Sequence, residues 1–322
     1  MILPHYNQLV KNLFAPYRFD LIYHPSCQLL PYDRNCWTIS YPDVSWNPHS
    51  VVVMHCQDFL TIKNGTCPEL LEIENYFGDH AHSVVVLHWN LEISQVYNGP
   101  LTCMYFPTHS YELMQNLKHH VIGAPKNSTI DYQCLNGLPK QHRRNVVKWL
   151  QENTHFEKNI ISLGSIITLN NKLNYNLYSC DNVQNWLLLN EIYKNCKINI
   201  VTETEYNEDY GIISEKTLFA FLGKQIPIVI GHRNIVRQCE DLGFDMFTDI
   251  VDTSYDNQPA STRWKSALES NKSLVCGGYT PNLEHRLEKN RMRALNLPGV
   301  FADKLASQIK DFATMRVSLD TV

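Results

Sequence analysis

The sequence predicts an α/β protein with parallel, doubly wound sheets. Three observations predict it. Short apolar, β-branched runs recur along the chain. Stretches with helical patterning and helix caps separate them. One strand–loop–helix–strand unit, from Lys197 to Gly231, is complete. Strands alternating with helices put parallel strands in one sheet, covered by their own crossovers.

In chain order, Phe19–Tyr23, Val51–His55, Val84–Trp89 and Leu101–Phe106 read as strands of a first domain, with helices at Glu69–Phe77 and Tyr111–His120. Tyr32–His49, with Pro42 and Pro48, reads as a loop or irregular insertion. Gly123–Lys140, rich in Gly, Pro, Asn and Ser, suits a linker or the first irregular strand of a second domain. Gln141–Gln151 is a basic amphipathic helix with Val146, Val147 and Leu150 inward, Asn159–Leu163 a strand, and Asp181–Asn195 a helix capped by Asp181.

In the central unit, Lys197–Thr202 suits a buried parallel strand. Ser214 can cap a helix running to Leu222, Gly223 closes it, and Ile226–Ile230 is the next strand. Helices follow at Arg233–Leu242 and Thr262–Ser270, with a loop at Asp249–Asp256 between them. The tail, Pro281 to about Met315, predicts a helix pair broken at Pro298 that folds back on the first domain. Residues 1–125, 126–285 and 286–322 are thus expected to form an N-terminal domain, a C-terminal domain and a tail: two Rossmann-like halves facing a cleft.

The net charge of −4 argues against a surface coated with basic residues, though it leaves room for a local basic patch. Ten scattered cysteines without a Cys-x-x-Cys pair favour reduced thiols in a cytoplasmic protein over structural zinc. The opening MILPHYNQLVKN lacks the makings of a signal peptide, and no apolar run reaches membrane-spanning length.

The loop after Thr202 lies where open parallel sheets bind ligands. Glu215 and Lys216 occupy the first turn of the next helix, where unpaired N–H groups attract phosphate. Lys216 adds a point charge for a diphosphate, and Glu215 can accept from ribose hydroxyls. The plainer reading is an ordinary Ser-Glu-Lys helix start. No Gly-x-Gly-x-x-Gly follows a predicted strand, which disfavours a nucleotide-dependent oxidoreductase.

Several ordered motifs then resemble the fucosyltransferase-like glycosyltransferases of the two-domain GT-B fold, including viral and bacterial relatives. They are Val201-Thr-Glu203-Thr-Glu205, Ile213-Ser-Glu-Lys216-Thr, Gly223-Lys-Gln-Ile-Pro227-Ile-Val-Ile-Gly231, Leu242-Gly-Phe244-Asp-Met-Phe247 and Val251-Asp252-Thr-Ser-Tyr255-Asp256. Upstream, Asn136-Gly-Leu-Pro139-Lys-Gln-His142-Arg143 resembles the family's basic segment. The likeness covers roughly Asn136 to Arg263 and rests on order and spacing together. It implies a transferase moving a sugar from a nucleotide-sugar donor to an acceptor hydroxyl, in the host cytoplasm if the chain is viral.

No Asp-x-Asp motif occurs, so neither metal nor other cofactor is expected. The leaving diphosphate falls to Lys216, the helix start at Ser214 and Glu215, and Arg143; for Arg143 a solvated helix face is the alternative. Glu203 and Glu205 are candidates for the donor sugar, Glu203 also for its reacting face, or else belong to a solvated loop. Tyr255, with Asp252 and Asp256, is a candidate for the nucleotide or a plain turn. Asp58 and His88, after and at the end of first-domain strands, are candidates for the acceptor base. The acceptor is a glycan, or a hydroxymethylated pyrimidine in viral DNA reached through Lys140–Arg144, Arg263 and Arg291–Arg293. A non-catalytic nucleotide or nucleotide-sugar-binding module is the alternative.

Overall fold

Two separate sheets, both mainly parallel, carry the chain in the computed structural model. The structure describes residues 4–23, 46–47, 50–56, 66–88, 93–118, 130–155, 159–163, 167–168, 186, 189, 192–207, 211–277 and 282–319. Two units divide the chain: Met1–Gln115 with Leu297–Val322, and Asn116–Asn296.

The first unit contains β1 (Asp20–Tyr23), β2 (Ser50–Cys56), β3 (Val84–His88) and β4 (Thr102–Tyr105), all parallel and in sequence order. Its helices include α1 (Pro4–Phe14), α2 (Pro68–Phe77), α3 (Ile93–Val96) and α4 (Thr108–Leu117). Successive strand side chains point to opposite faces. Val52, Met54, Val84 and Val86 pack with Leu70, Ile73 and Phe77 of α2 and Ile93 of α3, so both crossovers share one face. Val51, Val53, Val85 and Leu87 are equally buried. Among its described strands this sheet advances in one direction, without the reversal that doubly wound sheets show.

In the second unit, β5 (Ile130–Cys134), β6 (Ile160–Ser162), β7 (Ile167–Thr168), β8 (Cys196–Thr202) and β9 (Ile226–Ile230) lie in the order β7-β6-β5-β8-β9. Only β7 is antiparallel among the described strands. From β5 the chain moves out on one side, then returns to place β8 on the other. The sheet therefore has a switch point between β5 and β8, the position where open parallel sheets leave a crevice at their carboxyl ends. Helices α5 (Gln141–Asn153) and α6 (Glu215–Leu222) start from the loops flanking it. Then come α7 (Ile235–Asp241), α8 (Ala260–Ser270) and α9 (Lys272–Val275). Of the expected helix at Asp181–Asn195, residues 186, 189 and 192–195 are described, all helical.

Expectations change at Gly223 and in the tail, and one open reading closes. The segment read as a linker or as the first irregular strand of a second domain contains β5, the strand at the middle of its sheet. Gln133 is buried because its amide donates to Gln225 Oε1 (3.2 Å), which also accepts from Asn199 (2.9 Å). Gly223 does end α6, but Lys224 takes the left-handed turn (φ 53°). The glycine is needed for space, since a Cβ there would lie 3.0 Å from Tyr193 Cβ. The tail forms one helix, α10 (Glu284–Leu319), with Pro298 inside it. Proline removes one donor and crowds the preceding turn. An apolar stripe nevertheless runs through it: Ala294, Leu297, Phe301, Leu305, Ile309 and Phe312 are buried at helical spacing on both sides of the proline.

The helix residues up to Asn296 belong to the second unit, within which Asn290 and Arg293 bond Asp245 and Leu242; those from Leu297 on belong to the first, within which Arg316 reaches Ser50 O (3.5 Å) and Ser83 Oγ (2.7 Å). Among the described residues, no helix is long and apolar enough to cross a membrane.

Candidate functional site

The loop leaving β8 is gripped by basic side chains. Arg143 Nη2 donates to Thr202 O (3.1 Å), His142 Nε2 to Glu203 O (3.0 Å) and Lys140 Nζ to Thr204 O (2.8 Å). Arg263 Nη1 donates to Tyr206 O (3.0 Å) and to Gly231 O (2.6 Å) at the end of β9. Four carbonyls within five residues thus each meet a basic side chain, which fixes the loop at the carboxyl edge of the sheet. His142 also stacks on Tyr206, centroids 4.3 Å apart and planes 8° from parallel.

Two cations converge on one neutral oxygen. Arg143 Nη2 and Lys216 Nζ lie 3.3 Å and 3.4 Å from Thr204 Oγ1. Arg143 is 2 % exposed, so the solvated-helix-face reading is wrong for it; its third anchor is Leu138 O (3.1 Å). No described carboxylate forms an ion pair with it. Burial holds its pKa below the usual arginine value, with Glu203 and Glu215 opposing from a distance. Lys216 is partly exposed and pairs with Glu215 (2.7 Å).

The head of α6 is already capped from within. Ser214 Oγ accepts from Lys216 N (3.2 Å), as the helix start predicts. Glu203 is 1 % exposed. One of its oxygens accepts from Ser214 N (3.1 Å) and Thr217 Oγ1 (2.5 Å), the other from Ser214 Oγ. A carboxylate so engaged ties β8 to α6. Glu205 is half-buried, with its Cβ close to Gly211.

The other expected residues lie elsewhere. Tyr255 is buried in the core, where no nucleotide can stack on it. Asp256 caps α7, accepting from Val236 N (3.1 Å) and Arg237 N (3.3 Å), and Asp252 accepts from Ser254 N (2.9 Å). The plain-turn reading therefore fits all three. His88 closes β3 of the first unit and is buried. Asp58 lies outside the described residues. The basic patch expected to meet DNA is mostly committed inward: Arg263 is 2 % and His142 6 % exposed, and Arg293 Nε donates to Leu242 O (2.5 Å).

Sequence reasoning also missed Asn136 as a clamp. Its backbone N–H reaches Ser162 Oγ (2.8 Å), its side-chain amide reaches Ser162 O (2.9 Å), and its Oδ1 accepts from Thr202 Oγ1. One asparagine so joins the ends of β5, β6 and β8. Asn136→Ala is expected to cost about 2–3 kcal/mol, because it strands a buried carbonyl and hydroxyl. Urea unfolding checks this; a loss below about 1 kcal/mol removes the clamp.

Among the described residues, no group of three or more His, Cys, Asp or Glu is placed to hold a metal. The cysteines whose side chains are described are all free, and burial raises the thiols of Cys67, Cys103 and Cys134 to about 12. No family model, no curated protein and no solved structure matches the chain.

Proposed function

We propose that the second unit binds a nucleoside diphosphate sugar and that the protein is a metal-independent glycosyltransferase. One observation carries the reading. Arg143 and Lys216 aim two positive charges at the Thr204 hydroxyl, beside a switch point at the carboxyl ends of β5 and β8. The hydroxyl balances neither charge; Lys216 is offset by Glu215 (2.7 Å), and no described carboxylate forms an ion pair with Arg143. A diphosphate oxygen reaching Lys216 would bring negative charge there, and the buried guanidinium beneath would add its field without moving.

In the reaction, the bond from the anomeric carbon to the diphosphate oxygen breaks. The departing charge is stabilised by Lys216 and Arg143. The acceptor's hydroxyl oxygen bonds to the anomeric carbon, and its proton passes to a general base, the role for which Asp58 is the sequence's candidate. With the basic patch turned inward, a glycan acceptor fits better than duplex DNA.

A thermal-shift panel of nucleoside diphosphates and their sugars tests this. At least one is expected to raise the melting temperature by mass action. Lys216→Ala should weaken that complex roughly 10- to 100-fold, the worth of one charge-assisted phosphate contact. Stabilisation by no nucleotide sinks the reading. Saturable binding without sugar release or transfer favours the non-catalytic module.

A further inference from the structure

His232 lies just beyond β9, at the same sheet edge as the Arg143–Lys216 pair. The β8–β9 ladder closes with Thr202 opposite Ile230. His232 stands two residues past that pair, as Thr204 does on β8. Neighbouring strands are roughly 5 Å apart, so one extended ligand can span both strand ends.

The imidazole's hydrogen-bonding state follows from its contacts. Nδ1 is 2.7 Å from Arg233 O, and a carbonyl only accepts, so Nδ1 carries the hydrogen. Nε2 then presents a lone pair. The residue is 0 % exposed, and Nε2 has no partner among the described residues. Burial, then the Arg263 charge, lowers the pKa to about 4, against the hydrogen bond to Arg233 O, so the ring is neutral near pH 7. Gly211 lies against the Cδ2 edge next to Nε2: a Cβ there would come within 2.6 Å of Cδ2. A buried acceptor left unmet costs stability, and such groups call for a reason.

We infer that His232 Nε2 is a ligand-recognition atom, accepting a hydrogen bond from a hydroxyl or ring N–H of the bound nucleoside. This rests on the nucleotide reading above and divides the ligand between two strand ends. The diphosphate belongs at Thr204, where cations converge. A lone pair repels phosphate oxygens, so the His232 end takes a neutral donor. Gly211 brings its backbone directly against the ring, where any side chain would clash.

The test is ¹⁵N NMR of the histidine rings, with His232 assigned by the signal missing in His232→Gln. Uridine, guanosine and adenosine diphosphates and inorganic diphosphate are added to the full chain. A nucleoside diphosphate that binds is expected to move the Nε2 resonance upfield while Nδ1 stays protonated; inorganic diphosphate should not. In calorimetry, His232→Phe should lose about tenfold in nucleotide affinity and none for inorganic diphosphate, whereas Lys216→Ala weakens both. Loss of the resonance shift with the 2′-deoxy analogue assigns the ribose hydroxyl; dependence on the base alone assigns a ring N–H. A nucleotide that binds and leaves Nε2 unmoved overturns this inference alone. Absence of any nucleotide binding overturns the nucleotide reading with it. The wild-type spectrum decides even if the phenylalanine variant fails to fold.

Discussion

Glu203→Ala is expected to lower stability by about 4 kcal/mol, the largest effect of any single substitution at this sheet edge. The carboxylate is buried and accepts from a backbone amide and two hydroxyls. Removing it strands three donors at the head of α6. It also deprives buried Arg143 of its strongest opposing charge. Glu203→Gln should cost about 2 kcal/mol, because one oxygen can still serve Ser214 N and Thr217 while the charge is lost. Urea unfolding at neutral pH measures both. If alanine costs under about 1 kcal/mol, Glu203 does not hold the loop to the helix. If Glu203→Gln keeps its fold and nucleotide affinity but loses turnover, the acid has the chemical role that its burial argues against.

Acidification should weaken the fold between about pH 6.5 and pH 4, through two histidines buried in the neutral form. His142 is lowered to about 4, first by burial and then by the Arg143 charge, against the hydrogen bond to Glu203 O. His232 is lowered to about 4 by burial and by Arg263. The sign follows from linkage. Each group binds its proton more readily in the unfolded chain, so its contribution is full above 6.5 and is lost as pH falls toward 4. At pH 5 the loss is about 2 kcal/mol for each ring. Asp245, lowered from 3.8 first by its bonds to Arg286, titrates below this window. Asp256, raised from 3.8 by burial, acts in the opposite sense as its charge disappears. Denaturation midpoints from pH 7.5 to 4.5 test this, with His142→Gln and His232→Gln each expected to flatten the slope. A midpoint unchanged down to pH 5 would mean the rings are not held neutral by burial.

Local structure was largely legible. Cys196–Thr202 and Ile226–Ile230 announce buried strands through their apolar, β-branched residues, and Ser214 announces the helix between them through its capping side chain. These are near-neighbour effects, carried within a few residues of chain. Pro298 shows their limit: a proline read locally as a break is overruled by apolar residues that keep one face on both sides of it.

The candidate site was legible only in part. Lys216 and Arg143 were named, but the sequence could not distinguish a buried arginine from a solvated one. Nor could it separate a catalytic Glu203 from a structural one, or find the roles of Asn136, Lys140 and His232. Charge and polarity say what a side chain can bond, and burial depends on whether partners arrive. Those partners are remote: Arg143 meets Thr202 across 59 residues, and Asn136 meets the same threonine across 66. The sequence by itself determined most of the strands and helices and their parallel α/β class, because backbone preference and apolar spacing are local properties. Tertiary structure alone decided which polar groups leave water and which are left to meet a ligand, because a buried polar group is tolerated only where distant parts of the chain complete its hydrogen bonds.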